Sequence, residues 1–159
     1  MNGVFPEAES SASPDSKRNE GDSVIQEQET VYVVEDDTSL RVAMRRLLRS
    51  VQYRVLTFAS AEEFCQSDFK TIPGCLLLDI RLPGISGFEL QARLLDAGVR
   101  MPVIFITGQD RAGMEEYAMQ LGASAYLRKP VDEENLLAAI RKALKSLVLE
   151  KGINNTGHT

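Results

Sequence analysis

Short apolar runs alternate with amphipathic patterns along most of this chain, and this alternation is the strongest constraint on its fold. Each run is four to six residues long and is followed by apolar residues at helical spacing. Strict alternation predicts parallel strands joined by right-handed crossovers, with helices on both faces of the sheet. The predicted fold class is therefore α/β, with a five-stranded parallel sheet and five helices. The predicted strands are residues 31–34, 53–58, 75–79, 102–107 and 125–128.

The run from Cys75 to Asp79 is the clearest strand, because it is apolar until its last residue. Buried strands of parallel sheets have this continuous apolar character. Ligand chemistry in open α/β sheets is located beyond the carboxyl ends of the strands. Asp79, which is followed by the turn residues Pro83, Gly84 and Gly87, is therefore a candidate reactive carboxylate.

Polar residues between the strands predict where the helices begin and end. A cap at Asp37, Thr38 or Ser39 starts the first helix, and a capping box at Ser60 starts a short second helix. The last helix is predicted to end after Leu147, because a tail rich in glycine, asparagine and threonine follows.

Composition divides the chain into three parts. Residues 1–29 contain seven of the 23 acidic and two of the 18 basic residues, and they have no hydrophobic period. This segment is predicted to be a disordered acidic leader, solvated or, alternatively, regulatory. Residues 30–148 are predicted to form one domain, and residues 149–159 a short flexible tail. Residues 30–159 contain 16 acidic and 16 basic residues, so direct nucleic-acid binding is not expected.

The scarce residue types exclude several kinds of site. Cys65 and Cys75 lie in apolar patterns and are predicted to be small buried hydrophobes in a reducing compartment. His158, the single histidine, lies in the tail, so no Ser-His-Asp triad and no histidine-based zinc site is expected in the folded part. The sequence has no secretory signal and no run of membrane-spanning length. We therefore expect a cytoplasmic protein without membrane contact.

Polar groups follow four of the five predicted strands. They are Glu35 and Asp36 after the first, Asp79 at the end of the third, Thr107 at the end of the fourth and Lys129 after the fifth. Parallel strands bring these groups to one edge of the sheet, where carboxylates close together require a cation such as Mg²⁺. A hydroxyl and an ammonium beside them suit a phosphoryl group bound to a carboxylate oxygen. A single strand-end aspartate is more often only a helix cap, but the coincidence at four strand ends favours a functional site.

With these residues in place, the chain resembles the receiver domain of two-component response regulators, over roughly residues 30–147. The resemblance rests on four blocks in order: Val-Val-Glu35-Asp36-Asp37, Leu-Leu-Leu-Asp79-Ile-Arg-Leu-Pro83-Gly-Ile-Ser-Gly87, Ile-Phe-Ile-Thr107-Gly and Gly-Ala-Ser-Ala-Tyr126-Leu-Arg-Lys129-Pro130. The loops are most similar to those of regulators that also carry a helix-turn-helix domain. The resemblance implies a flavodoxin-like sheet with strand order 2-1-3-4-5.

The resemblance also implies the acceptor and its metal. Asp79 is expected to accept a phosphoryl group from the phosphohistidine of a histidine kinase or of a histidine phosphotransfer protein. Mg²⁺ is expected to bind Asp36 and Asp79 directly, Glu35 through water, and the backbone carbonyl of Arg81. Glu35 departs from the family pattern, which commonly has aspartate there, and its extra methylene is expected to alter metal affinity without abolishing it.

The remaining matches imply how the phosphoryl group is held and sensed. Thr107 and Lys129 are expected to bind phosphate oxygens, and a cis bond before Pro130 to direct the lysine inward. Tyr126 is expected to be the switch aromatic that turns inward when Thr107 moves; the alternative is an ordinary strand tyrosine.

A second departure concerns the lifetime of the phosphoryl group. The loop after the fourth strand differs from the pattern of the most similar subfamily. Arg81 stands two residues after Asp79, and Gln109 stands two residues after Thr107. We hypothesise that the long side chains of Arg81 and Gln109 shade the phosphoryl group from water and tune its lifetime.

These implications predict a signalling domain, not an enzyme, whose chemistry is limited to Mg²⁺-dependent self-phosphotransfer and autodephosphorylation. A stand-alone receiver is expected, acting by protein contact on an effector or as a homodimer through helix 4, strand 5 and helix 5. A fragment of a longer chain is the alternative. Arg41 and Arg45 on the first helix suggest a kinase docking surface or, equally, a solvated charged face.

Three other functions stay open at this stage. The chain could be a Mg²⁺-dependent phosphohydrolase with Asp79 as nucleophile, although Arg81 occupies the position where a second aspartate would stand. It could also be a phosphate sink in a relay, or a receiver fold that serves only as a scaffold.

Overall fold

Five parallel strands form one sheet in the order β2-β1-β3-β4-β5, in a computed structural model that describes residues 28–156 and their side chains up to residue 149. The strands are β1 Thr30–Val34, β2 Arg54–Phe58, β3 Gly74–Asp79, β4 Val103–Thr107 and β5 Ala125–Arg128. The helices are α1 Thr38–Ser50, α2 Ala61–Cys65, α3 Gly87–Asp96, α4 Met114–Gln120 and α5 Glu133–Thr156. The predicted α/β fold is confirmed, including the strand order that the resemblance implied. Most of the predicted acidic leader and the end of the tail with His158 lie outside the described residues.

The helix starts follow from local capping chemistry. Asp37 caps α1, because its carboxylate accepts a hydrogen bond from the amide of Leu40 at 3.0 Å. Ser60 caps α2 by accepting from the amide of Glu63 at 3.1 Å. The reciprocal bond of a capping box is displaced by one residue, since the Glu63 carboxylate accepts from the amide of Ala59.

Two layers of helices cover the sheet, because successive strand side chains point to opposite faces. Val31 and Val33 of β1 pack with the apolar residues of α1 and α5, such as Leu48 and Ile140. The other face of β1, with Tyr32, packs with α2, α3 and α4. Full burial of each large aliphatic side chain contributes roughly 1.5–3 kcal/mol, so both layers hold the sheet that carries the polar strand ends.

The turn after β3 is built around a glycine. A Cβ on Gly87 would lie 2.4 Å from the carbonyl oxygen of Asp79, a distance that side chains do not tolerate. The amide of Gly87 also donates to the carbonyl of Ile80 at 2.9 Å. Across the turn, the Glu62 carboxylate accepts from the amide of Ile85 at 3.2 Å. These contacts fix the path of the chain beyond Asp79.

Two local predictions differ from the structure. Cys75 is buried, as expected, but Cys65 is exposed at the end of α2, since this short helix turns its last residue outward. Helix α5 continues to Thr156, where the sequence predicted a flexible tail from residue 149. Residues 149–156 contain no proline, and their one internal glycine, Gly152, costs only about 1 kcal/mol relative to alanine.

Candidate functional site at the carboxyl edge of the sheet

Strand register brings the predicted polar groups to one level. Val34 of β1 pairs with Leu78 of β3, so Glu35 lies beside Asp79 at the strand ends. On the other side of β3, Asp79 pairs with Ile106 of β4. The ladder continues beyond the last strand, because the amide of Lys129 donates to the carbonyl of Thr107 at 2.8 Å. The sheet therefore places four of its strand ends together, as the parallel topology requires.

A buried charge cluster, formed by Glu35, Asp79 and Lys129, lies at the centre of this edge. The Lys129 ammonium is 3.1 Å from Asp79 Oδ2 and 3.0 Å from Glu35 Oε1. Glu35 is 2% exposed and Asp79 4% exposed. The second oxygen of Asp79 accepts from the amide of Arg81 at 3.2 Å. One ammonium thus faces two buried carboxylates.

Glu35 is the least satisfied member of the buried charge cluster. Its Oε2 accepts from the amide of Asp37 at 3.1 Å, but its buried Oε1 has no partner with hydrogen-bond geometry among the described residues, despite its proximity to Lys129. Burial, together with the nearby Asp79 charge, raises the pKa of Glu35 to about 7, although Lys129 opposes this shift. Burial lowers the pKa of Lys129, but both carboxylates outweigh it, so that pKa is raised overall.

The residues present fit a hard divalent cation. Ligand oxygens of Glu35, Asp36 and Asp79 all lie within 4.8 Å of one another, and Asp36 is exposed while the other two are buried. Carboxylate oxygens are the ligands that Mg²⁺ prefers, and it usually keeps several waters in a site with few protein ligands. The buried, unpartnered Oε1 of Glu35 is the acceptor that such a cation would satisfy.

The two residues predicted to tune the phosphoryl lifetime contact each other. Arg81 Nη1 donates to Gln109 Oε1, and this bond joins the loop that follows β3 to the loop that follows β4. The amide of Gln109 donates to the Thr107 hydroxyl at 3.1 Å, and Thr107 is 1% exposed. The sequence placed Arg81 and Gln109 beside the site but did not predict the contact between them.

Tyr126 lies in β5 and is 7% exposed. Its hydroxyl donates to Asp110 Oδ1 at 2.6 Å. Burial of the ring, and after it this hydrogen bond as the second-largest cause, raises the pKa of Tyr126 to about 12. The sequence reasoning missed Asp110. The sequence contains a signal for this contact, because Asp110 follows β4 and Arg128, which has the opposite charge, ends the neighbouring strand β5.

Two further features frame the site. The Lys129–Pro130 peptide bond is cis. Arg41 of α1, considered from the sequence only as a docking residue, donates from Nη1 to the Glu35 carbonyl at 2.7 Å. Arg41 therefore holds the loop that carries the acidic pair.

Comparisons with known proteins agree on the kind of domain. The sequence model of the family described as "Response regulator receiver domain" matches residues 31–141. Nodulation protein W of Bradyrhizobium diazoefficiens is 44% identical over 110 residues, which cover 69% of this chain and 48% of that protein. The structure of response regulator StyR superposes with a TM-score of 0.77 at 39% identity, covering 82% of this chain and 66% of that one. A CheY-like receiver domain protein from Methanospirillum hungatei JF-1 gives a TM-score of 0.71 at 27% identity, covering 78% and 99%.

The chain spans about half the length of the curated relatives it matches. Within residues 28–156, no helix combines the length and the apolar character needed to cross a bilayer.

Proposed function

The chain belongs to the response regulator receiver family, and we propose that Asp79 accepts a phosphoryl group from the phosphohistidine of a histidine kinase or of a histidine phosphotransfer protein. The observation that carries the proposal is the environment of the Asp79 carboxylate. It is 4% exposed, lies 3.1 Å from the Lys129 ammonium, and has ligand oxygens of two further carboxylates within 4.8 Å. Such an environment suits a nucleophilic carboxylate oxygen, because the nearby positive charge can stabilise the extra negative charge of the phosphorylated product.

The transfer itself is an in-line displacement at phosphorus. As a P–O bond forms to a carboxylate oxygen of Asp79, the P–N bond of the donor breaks, and the imidazole leaves with the bonding electrons. The amide of Arg81 and the Lys129 ammonium each contact one oxygen of Asp79, which orients the carboxylate before the donor arrives.

Three carboxylates and one backbone carbonyl would hold Mg²⁺: Glu35, Asp36, Asp79 and the carbonyl of Arg81. When bound, the ion neutralises the charge that develops on the phosphoryl oxygens. The unpartnered Oε1 of Glu35 and the closeness of the carboxylate oxygens support this ligand set. Lys129 supplies a second, fixed positive charge to the phosphoryl group, and the Thr107 hydroxyl supplies a hydrogen-bond donor.

Phosphorylation is proposed to signal through Thr107 and Tyr126 to a protein partner. Tyr126 lies in β5, next to β4, which ends at Thr107, so movement at Thr107 can reach the outer surface. Tyr117 and Met119 are exposed apolar side chains of α4, and they support an effector or homodimer contact on the surface of α4, β5 and α5. Arg41 and Arg45 of α1 are the proposed kinase contact.

The further organisation of the protein stays a prediction. A leader over residues 1–29, a receiver over residues 30–148 and cytoplasmic action agree with the sequence. The stand-alone form is one possibility beside a longer chain, because the matched relatives are about twice as long as the matched region. A kinase transfer assay on Arg45→Ala and on an Arg41/Arg45 double alanine variant would test the docking surface. Because Arg41 also holds the Glu35 loop, acetyl phosphate labelling of the same variants shows whether the acceptor site itself is intact.

The decisive experiment is labelling with radioactive acetyl phosphate in the presence of Mg²⁺. Wild type is expected to take up about one phosphoryl group per chain, as an acyl phosphate, and Asp79→Asn to take up none, because the amide is not a nucleophile here. Asp96→Asn, an exposed aspartate at the end of α3, is the matched control and should label like wild type. Labelling of Asp79→Asn at the wild-type level would contradict the proposal, and sustained turnover of phosphate esters would favour the phosphohydrolase instead.

A further inference from the structure

Charge is distributed unevenly between the two layers of helices. Helices α1 and α5 contribute to the same apolar layer on one face of the sheet. Helix α1 contains four basic residues and no acidic residue, and residues 135–149 of α5 contain three basic residues and no acidic residue. Helices α2, α3 and α4, on the other face, contain six acidic residues and one basic residue. The seven basic residues of α1 and α5 form the basic face: Arg41, Arg45, Arg46, Arg49, Arg141, Lys142 and Lys145.

The charges of the basic face are not neutralised by neighbouring carboxylates. Among the side chains of residues 28–149, the ion pairs involve Arg128 and Lys129, and none involves a residue of the basic face. All members except Arg41 are exposed to solvent. The equal numbers of acidic and basic residues in residues 30–159 therefore conceal a one-sided positive surface, which attracts an acidic segment.

A groove with a volume of about 550 Å³ runs beside the part of α5 that carries this charge. Gln28, at the start of the described chain, donates from its side chain to the carbonyl of Gln52 at 3.3 Å. The carbonyl of Glu29 accepts from the amide of Arg54 at 2.9 Å. Residues 1–27 are therefore joined to the domain at the wall of the groove. Its lining residues are Glu29, Tyr53, Arg141, Lys142, Lys145 and Val148.

We propose that the basic face is a docking surface for residues 1–27 of the same chain, the part of the acidic leader that lies outside the described residues. These residues include six acidic and two basic ones, so their net charge is opposite to that of the basic face. Their attachment at the groove makes the encounter intramolecular, with an effective concentration that is roughly millimolar for a short tether. Several exposed ion pairs formed together then hold the segment, although each one alone contributes little.

A docked leader restricts access to α1. This consequence rests on the proposed kinase contact at Arg41 and Arg45, whereas docking itself does not depend on phosphorylation of Asp79. A kinase that contacts α1 has to displace the acidic segment first, so its apparent affinity is reduced according to the fraction of chains in which the face is occupied.

The test is paramagnetic relaxation in the full chain, with a nitroxide label attached to Ser13→Cys. Cys65→Ser is included, because Cys65 is an exposed thiol whereas Cys75 is buried. At low salt, the label is expected to broaden the amide signals of Lys142 and Lys145. In about 1 M salt, where the Debye length is about 3 Å, most of this broadening should disappear. The salt comparison needs no substitution in the leader charges or in the groove.

Two sets of substitutions separate charge complementarity from simple tethering. A neutral leader keeps its length and attachment but has amides in place of six carboxylates, and it should reduce the relaxation enhancement about threefold to tenfold, as expected for two or three exposed ion pairs. The six positions are Glu7, Glu9, Asp15, Glu20, Asp22 and Glu27. A groove variant with glutamine at Arg141, Lys142 and Lys145 should show the same loss. Its matched control has glutamine at three exposed arginines outside α1 and α5, namely Arg93, Arg100 and Arg111, and should behave like the unsubstituted groove.

The outcomes are distinct from those for the acceptor site. Equal broadening with the acidic and the neutral leader, undiminished broadening in the groove variant or in high salt, or broadening centred on α4 would each overturn the inference. None of these results would affect labelling of Asp79 by acetyl phosphate. Loss of that labelling in wild type would instead overturn the proposed function and leave the docking of the leader in place.

Discussion

Arg128 and Lys129 are adjacent in the chain, yet they belong to two clusters with opposite character. Lys129 belongs to the buried charge cluster with Glu35 and Asp79, whose carboxylates are 2% and 4% exposed. The side chain of Arg128 is 53% exposed and forms ion pairs with Asp110 and Glu115. Together with Tyr126, whose hydroxyl donates to Asp110, these residues form an outer cluster. At the end of β5, the Arg128 side chain therefore faces solvent, whereas the Lys129 side chain faces the two buried carboxylates.

The difference teaches which cluster can do chemistry. In the outer cluster each oxygen of Asp110 already accepts a hydrogen bond, so the Asp110 carboxylate does not need a bound ligand to satisfy it. In the buried cluster one ammonium faces two carboxylates, and Glu35 Oε1 is left without a hydrogen bond among the described residues. Unpaired charge is expensive only where water is excluded, so the buried cluster is the one whose residues fit a bound cation.

The largest expected effect tests this contrast on the two neighbouring cations. Lys129→Met keeps the alkyl chain but leaves Glu35 and Asp79 buried without their counter-charge. We expect it to lower the free energy of unfolding of the metal-free protein by about 2 kcal/mol at pH 8, less than for a fully enclosed pair because the lysine is partly exposed. Urea unfolding in the presence of a chelator measures this change.

Arg128→Met is the control for that measurement, since it removes a cation from the outer side of the same strand end. It is expected to change stability much less, because exposed ion pairs contribute little. Equal losses from the two substitutions would show that burial does not distinguish the clusters. Addition of Mg²⁺ should restore part of the stability lost in Lys129→Met, since the ion replaces the missing positive charge.

The next effect is the pH dependence of Mg²⁺ binding. With a pKa of about 7 in the metal-free protein, Glu35 is largely protonated at pH 6 and largely ionised at pH 8. Since a ligand must lose its proton before it binds a metal, affinity for Mg²⁺ should rise about tenfold between these pH values, as measured by titration calorimetry. The pKa of Glu35 is raised on folding, so its contribution to metal-free stability is fully present below pH 4.5 and is lost as pH rises through about 7.

Glu35→Gln provides the control, because the amide cannot titrate. It should bind Mg²⁺ more weakly at pH 8 and lose most of the pH dependence. Glu116→Gln, an exposed carboxylate of α4 outside the ligand set, should retain it. An affinity in wild type that is constant from pH 6 to pH 8 would contradict the assignment of the titrating group to Glu35.

The two clusters also differ in how far the sequence could predict them. Alternating apolar runs predicted the sheet, and parallel topology then placed Asp79 and Lys129 at one edge. For these two residues, the order and direction of the strands were sufficient for the prediction. The contact between Tyr126 and Asp110 depends on the path of an irregular loop and on two rotamers, which no residue period encodes. The exposure of Cys65 was missed because it lies at the end of a helix of little more than one turn, which is too short to show a helical period.

The smallest effect concerns Arg81 and Gln109, which lie between the two clusters. Arg81 donates to Gln109, so the hypothesis that these side chains shade the acceptor from water treats them as one unit, and removing either member should open the site to water. We expect Arg81→Ala and Gln109→Ala each to speed autodephosphorylation about threefold, and the double variant to be scarcely faster, since residues that act as a unit are not additive. Phosphate release from the labelled protein measures the rates, with Arg100→Ala, an exposed arginine in the loop between α3 and β4, as control. Unchanged rates in both single variants would exclude a role in phosphoryl lifetime, whereas fully additive effects would mean that the two side chains act separately.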